Sequence, residues 1–203
     1  MTWSKRSLDI LAALFLGVLL APVILWVMGM ILIRDGRPVL YISERMKTAS
    51  EGFPLWKFRS MTVVEHDSGV SGGDKAARIT KTGAMLRKYR LDELPQLWNV
   101  LRGDISFVGP RPPLRRYVEQ FPALYGQVLK SRPGITGLAT LVYHRHEEML
   151  LAGCQTPEET EQVYTRRCIP QKARLDLIYQ RKRTLCFDML LMLKTVFRRI
   201  RIH

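Results

Sequence analysis

The chain has 203 residues, enough for one domain with a real core, or a small domain plus an appended segment, and too few for two full domains. Its 32 Lys+Arg against 18 Asp+Glu give a net charge of +14, which asks for a polyanionic partner: nucleic acid, an anionic bilayer surface or a phosphorylated substrate. Cys154, Cys168 and Cys186 are odd in number and without close pairing, which argues against a disulfide framework and for a reducing compartment.

From Ile10 to Ile33 no charged residue occurs, a run of the roughly 20 residues at which a membrane helix becomes the default. The run is longer than a signal-peptide core and no small-x-small cleavage site follows it, so the anchor is expected to persist. Pro22, near its middle, removes a backbone hydrogen bond and collides with the preceding turn. A sharp bend there makes the helix re-entrant, because each arm of about 12 residues reaches only about 18 Å; a mild kink leaves an ordinary spanning helix, and the residues alone leave both open. In the re-entrant case Lys5, Arg6, Arg34 and Arg37 emerge together toward lipid phosphates, with Asp9 pairing to Lys5 or Arg6.

Beyond the anchor, Pro38 to Ser43 and Phe53 to Met61 are short β-branched and aromatic runs that suggest a small hairpin. The polar, glycine-rich stretch from Glu65 to Arg78 reads as a mobile loop able to serve as a lid, and Lys81 to Arg90 as a helix. Leu94, Leu97, Trp98 and Leu101 recur on one helical face ahead of Gly103, and Pro95 fits only a first turn. That spacing starts a helix at Asp92-Glu93, with Asp92 as the N-cap, kept ionised by backbone N–H groups and the helix dipole. The pair either caps and does nothing more, or is the point on which the surrounding cations converge. Arg111, fixed by Gly109, Pro110, Pro112 and Pro113, offers a planar fork to a phosphate. In "SRPGITG" (131–137), Arg132 and two glycines suggest backbone N–H groups approaching an anion. A carboxylate pair ringed by such cations suits phosphoryl chemistry with a metal bridging carboxylate and phosphate oxygens.

The C-terminal stretch from Thr184 to His203 places Leu185, Met189, Met192 and Val196 near one helical face ahead of an arginine cluster, which suits an interfacial helix on anionic lipid. His144, His146, Glu147, Cys154 and Cys168 lack the close spacing of a zinc site.

The ordered set Lys5-Arg6 with Asp9, the proline-broken apolar helix, "KFRSM", "RITKTGAMLRK", "LDELPQLWNVLRGDISFVGPRP" and "RPGITGL" resembles the bacterial sugar transferase family, the monotopic polyprenyl-phosphate phosphoglycosyl transferases of the small, catalytic-domain-only type. The likeness runs from about residue 5 to residue 138 and resumes from Ala173 to Val196. It implies an α+β, mostly helical fold: a re-entrant anchor over 1–36 broken at Pro22, and a cytosol-facing catalytic unit over 37–203 with a small hairpin and amphipathic surface helices.

The implied activity is transfer of a phosphosugar from a UDP-sugar to polyprenyl phosphate with Mg²⁺, at the cytoplasmic face of the bacterial inner membrane, as the first membrane step of polysaccharide or glycoconjugate assembly. Asp92 is then the nucleophile and a Mg²⁺ ligand, and Glu93 its dyad partner and a second candidate ligand. Arg87, Arg111, Lys57, Arg59 and Arg145 are the phosphate and nucleotide contacts, and Lys5, Arg6, Asp9 and Pro22 the membrane and polyprenyl-phosphate elements. Membrane lipids are partners, a homodimer is compatible, and nucleic acid is not expected. After "GITGL" the chain departs from the family's Trp-Gln-Val and Gly-Arg steps and reads "ATLVYHRHEEML" (139–150), which bears on the donor sugar or a subunit contact. A basic binding module without catalysis is the alternative; it would survive loss of Asp92. A hydrolase using the same site would differ only in needing no acceptor.

Overall fold

A computed structural model of the chain describes residues 2–63 and 77–197. The apolar N-terminal run folds as two helices, α1 (Trp3–Leu19) and α2 (Ala21–Arg34), bent by 61° at Leu20. The break precedes Pro22 by two residues because the proline cannot donate to the carbonyl one turn back and tolerates only the first turn of the helix it begins. The arms are longer than the sequence suggested, about 26 and 21 Å at helical rise, and each still falls short of the roughly 30 Å hydrocarbon core. Among the described residues no single helix is long and apolar enough to cross a membrane; the bent pair fits a broken or re-entrant helix.

The rest is mostly helical around two small sheets. Strands β1 (Leu40–Met46) and β2 (Gly52–Phe58) form the expected antiparallel hairpin, with Tyr41 opposite Lys57 and Arg45 opposite Phe53. Next come α3 (Lys81–Lys88), a 3₁₀ turn (Leu91–Glu93), α4 (Gln96–Arg102), β3 (Ser106–Val108), α5 (Arg115–Gln120), α6 (Pro122–Val128) and β4 (Gly134–Thr136). β3 and β4 pair in parallel. Helix α7 (Leu138–Ala152), α8 (Pro157–Val163), a π turn (Tyr164–Cys168), α9 (Ile169–Lys182) and α10 (Leu185–Val196) complete the chain. Threonine hydroxyls start four helices: Thr2, Thr80, Thr156 and Thr184 each accept a backbone N–H of the first turn. Gly103, at φ +84°, stops α4. The stretch expected as a mobile loop falls outside the described residues over 65–76, as does the basic tail over 198–203.

Helices α1 and α2 are bolted to this body. Val27 and Ile31 of α2 bury with Phe58 and Leu86, and Ala13 of α1 buries among Phe53, Val100, Ile105, Tyr179 and Leu191. Lys5 and Arg6, expected to face lipid, turn inward instead. Lys5 Nζ pairs with Asp188 Oδ2 at 2.6 Å, and Arg6 donates to the carbonyls of Val100 (2.6 Å) and Leu101 (2.7 Å), placing its charge at the negative end of α4. Asp9 is buried, 3.9 Å from Lys5, and accepts the Phe107 N–H at 3.4 Å. These cations therefore join α1 to α4 and α10; Arg34 and Arg37 remain exposed. On α10 the outward apolar side chains are Leu185, Met189, Leu193 and Val196, while Met192, expected outside, packs on the core.

This framework also buries a carboxyl on α9 that is only partly compensated among the described residues. Asp176 on α9 has an oxygen with no hydrogen-bond partner, and burial pushes its pKa up to about 7 against the pull of Lys172. A folded-state value above the unfolded one of about 3.9 means that the folded chain binds this proton more tightly. Stability from this group is full below about pH 4 and is lost as pH rises to about 7. The loss is expected to reach on the order of 3–4 kcal/mol. Asp176→Asn should abolish that part of the pH dependence in chemical unfolding between pH 4 and 8; an unchanged slope would contradict it.

Candidate active site

The hairpin, the 3₁₀ turn and the proline-fixed loop meet at the acidic pair. Asn99 of α4, fully buried, sets the hairpin's distance: its Nδ2 donates to the Pro54 carbonyl (2.8 Å) and to Asp104 Oδ2 (2.9 Å), and its Oδ1 accepts the Trp56 N–H (3.0 Å). Lys57 of β2 is thereby held with Nζ 3.1 Å from Glu93 Oε1. Arg111 Nη2 reaches the same oxygen at 3.1 Å, and Arg90 Nη1 lies 4.0 Å from Oε2. Burial pushes the Glu93 carboxyl up, but Arg111, Lys57 and Arg90 together hold it well below the usual carboxylate range.

Asp92 has a different environment. It is as buried as Glu93, at 9% exposure, yet makes no hydrogen bond or ion pair among the described residues. It is not the N-cap of α4, as the sequence suggested: Pro95 holds that position and Asp92 lies in the preceding 3₁₀ turn. Burial raises its pKa, Glu93 adds to the rise, and Lys57, Arg87 and Arg111 oppose it. The result is a carboxylate of increased basicity, with Lys57, Arg87 and Arg111 near it and none of the described residues engaging it.

Lys57, Glu93 and Arg111 thus come into contact, with Asp92 beside them. Arg87 stands close enough to act on Asp92 electrostatically, its Nε donating to Ser60 Oγ at 2.9 Å. Arg59 does not join them. The strand ends at Phe58, so the alternation that would have put residue 59 on the face of Lys57 no longer applies. Its guanidinium donates to the carbonyls of Arg37 (3.0 Å), Gly36 (2.8 Å) and Asp35, capping α2. Arg145 is exposed on α7, and His144 of the same helix reaches Arg90 instead.

Arg45 and Gln96, which nothing in the sequence singles out, line a narrow cleft with Lys57 and Arg111. Arg45 shares a hairpin face with Lys57, since its partner Phe53 and Lys57 are four residues apart on β2. The period of two carries that signal, but only once the register is known. Burial pushes the Lys57 ammonium down, Glu93 opposes this and Arg111 adds to it; burial and Arg111 likewise lower Arg45. Three crowded cations gain most from an anion with several oxygens.

Gly134, expected to open its backbone to an anion, acts otherwise, while Gly109 fixes the Arg111 loop as the sequence suggested. A Cβ on Gly109 would sit 2.1 Å from the Arg132 carbonyl oxygen, and one on Gly134 2.3 Å from the Gly109 nitrogen. Gly134 N–H donates to the Pro110 carbonyl at 2.8 Å. They serve backbone-on-backbone packing that aims Arg111, rather than an anion cradle.

No group of three or more His, Cys, Asp or Glu among the described residues could cage a metal. Mg²⁺ needs no cage: one carboxylate completed by substrate phosphates is an ordinary donor set for it. Among the described residues nothing engages the Asp92 oxygens, which could take that role, whereas Glu93 is occupied by Lys57 and Arg111.

These features are those of an anion-handling site, with a carboxylate that has no partner among the described residues, in a chain that begins with a bent pair of apolar helices. The family model for "Bacterial sugar transferase" matches residues 1–201, and the chain belongs to that family. Among its relatives, the UDP-N-acetylgalactosamine-undecaprenyl-phosphate N-acetylgalactosaminephosphotransferase of Aeromonas hydrophila is 38% identical over 68% of this chain and 34% of its own length. The sugar transferase EpsL of Bacillus subtilis is 40% identical over 68% of this chain and 67% of its own. The UDP-glucose:undecaprenyl-phosphate glucose-1-phosphate transferase of Klebsiella pneumoniae is 35% identical over 96% of this chain and 39% of its own. The chain thus matches little more than a third of the Aeromonas and Klebsiella proteins.

Proposed function

We propose that the protein transfers a phosphosugar from a UDP-sugar to polyprenyl phosphate, giving a polyprenyl diphosphate sugar and UMP in the assembly of an exopolysaccharide or other glycoconjugate. The observation that carries this reading is Asp92: a buried carboxylate without a partner among the described residues, next to a dyad mate held by Lys57 and Arg111. Relatives named for this reaction with glucose, galactose or N-acetylgalactosamine support the substrate class.

An Asp92 carboxylate oxygen attacks the sugar-bearing phosphorus, the bridging phosphoanhydride bond breaks, and UMP leaves with the bridging oxygen. A phosphate oxygen of the polyprenyl acceptor then attacks the same phosphorus and returns Asp92 as a carboxylate. Covalent catalysis turns a displacement between two poorly nucleophilic anions into two easier steps. Arg111, Arg87 and Lys57 stabilise charge on the phosphoryl oxygens. Asp92 is the residue that would hold Mg²⁺, whose charge would offset that of the diphosphate. Glu93 keeps Lys57 and Arg111 in place until the donor arrives.

The acceptor's lipid tail asks for a membrane-bound enzyme. We place residues 1–36 as a re-entrant anchor and 37–203 as the cytosol-facing unit at the inner membrane. The exposed Phe15, Val18, Leu25 and Trp26 of the bent pair and Met189 and Val196 of α10 supply apolar contact, and Arg34 and Arg37 supply charge for lipid phosphates. The test is UMP release from a panel of UDP-sugars by detergent-solubilised protein with Mg²⁺, with and without polyprenyl phosphate. Sustained release that needs the acceptor is expected; sustained release without it would mean a hydrolase, and none from any donor would overturn the reading.

A further inference from the structure

One contact in the variant segment of α7 is chemically over-subscribed. His144 Nε2 lies 2.8 Å from Arg90 Nη2 and 3.2 Å from Glu148 Oε1. A guanidinium can only donate, so Arg90 needs Nε2 bare, with the ring proton on Nδ1. A carboxylate can only accept, so Glu148 needs Nε2 protonated. One nitrogen cannot satisfy both: Arg90 suits only the neutral Nδ1–H ring, and Glu148 suits a ring protonated at Nε2, as the imidazolium always is. The neutral ring serves Arg90 and leaves Glu148, on the exposed side of α7, to water. The imidazolium serves Glu148 and turns a cation toward Arg90 at contact distance.

Arg90 is the link to the dyad. Its other terminal nitrogen, Nη1, faces Glu93 Oε2 at 4.0 Å, and its backbone is in the left-handed region at φ +58°, where it reverses the chain between α3 and the catalytic turn. The charged groups facing His144 are Arg90 from that turn, Arg111 from the proline-fixed loop, and Glu147 and Glu148 from α7 itself. Burial, then Arg90, press the ring toward its neutral form, and Glu148 opposes them. Glu147 is occupied by Lys172 of α9 at 2.9 Å, which leaves Glu148 as the acceptor for the protonated ring.

We propose that His144 is a positioning residue: neutral, it latches Arg90 beside Glu93; protonated, it turns its Nε2–H to Glu148 and releases Arg90. The catalytic consequence rests on the transferase reading, while the latch itself does not. Imidazole NMR on ¹⁵N-histidine full-length protein in detergent tests the latch, with His144→Gln identifying the signal among four histidines. The expected result is an Nδ1–H tautomer that titrates below ordinary imidazole. Arg90→Met should raise that titration and Glu148→Gln should lower it, each by about half a unit or more. An Nε2–H tautomer, or a titration unmoved by Arg90→Met, would overturn it.

UMP release tests the consequence. The wild type should exceed Arg90→Met about tenfold at pH 8, and the ratio should fall toward one as His144 protonates, because the released Arg90 no longer contributes. In His144→Gln the amide oxygen accepts from Arg90 without titrating, so its ratio to Arg90→Met should stay constant with pH. A constant ratio for the wild type would overturn the proposed positioning role. Protein that releases no UMP yet shows the NMR shifts would support the latch and overturn the transferase reading alone.

Discussion

Asp92→Asn is expected to lower acceptor-dependent UMP release by about 10³-fold or more while leaving the fold at least as stable as the wild type. The amide has no anionic oxygen with which to attack phosphorus, so covalent catalysis is lost outright. Asp92 gives no hydrogen bond or ion pair to the described structure, and burial together with the neighbouring Glu93 makes its charge costly. Removing that charge therefore relieves the folded state, as at sites where stability is given up for function. Glu93→Gln should differ in kind: it leaves Lys57 and Arg111 without their shared carboxylate, and should destabilise by about 2–4 kcal/mol as well as impair turnover. Activity measured beside thermal unfolding separates the two. An Asp92→Asn protein with near-normal turnover would leave the acidic pair without a nucleophilic role.

Gly109→Ala is expected to destabilise by at least about 3 kcal/mol, and expression of folded protein should drop sharply. The new methyl meets the Arg132 carbonyl at 2.1 Å and the Pro133 carbonyl carbon at 3.0 Å, both backbone atoms that no rotamer change can move aside. Because Gly109 precedes the proline-fixed Arg111, any surviving protein should also bind donor poorly. Gly126→Ala on α6 is the control: nothing lies within 4 Å of its added Cβ, so ordinary helix propensity should make it neutral or stabilising by up to about 1 kcal/mol. Similar unfolding free energies for the two variants would contradict the interlocked backbone described here.

What the sequence made legible was mostly local. The hairpin, α3, the stop at Gly103 and the break next to Pro22 follow from alternation, periodicity and the backbone limits of glycine and proline within a few residues. The misplacements depend on partners far away in the chain. Lys5 finds Asp188, and Arg6 finds carbonyls 94 and 95 residues on; nothing near either residue distinguishes a lipid-facing cation from one sealing a helix end. Arg59 likewise depends on where α2 terminates.

Asp92 shows how a sound local rule can lose. An acidic residue ahead of an apolar helical stripe is a good N-cap signal, but Arg90 adopts φ +58° and turns the chain into a 3₁₀ segment first. An arginine gives no warning of that conformation, which costs roughly 1–2 kcal/mol. The consequence reaches the chemistry: the expectation of a carboxylate calmed by a helix dipole gives way to a desolvated one with raised basicity. Arg45 shows the complementary gap, since its place beside Lys57 depends on hairpin register rather than on residue type.

The central claim is that Asp92 carries the phosphosugar. Intact-protein mass spectrometry after mixing the protein with its UDP-sugar and Mg²⁺, without acceptor, tests it most directly. The expected result is a mass increase of one phosphosugar, placed by digestion on the peptide containing Asp92, a matching burst of UMP, and discharge of the adduct on adding polyprenyl phosphate. UMP formed only when the acceptor is present, with no adduct at any time, would instead mean a single direct displacement and contradict it.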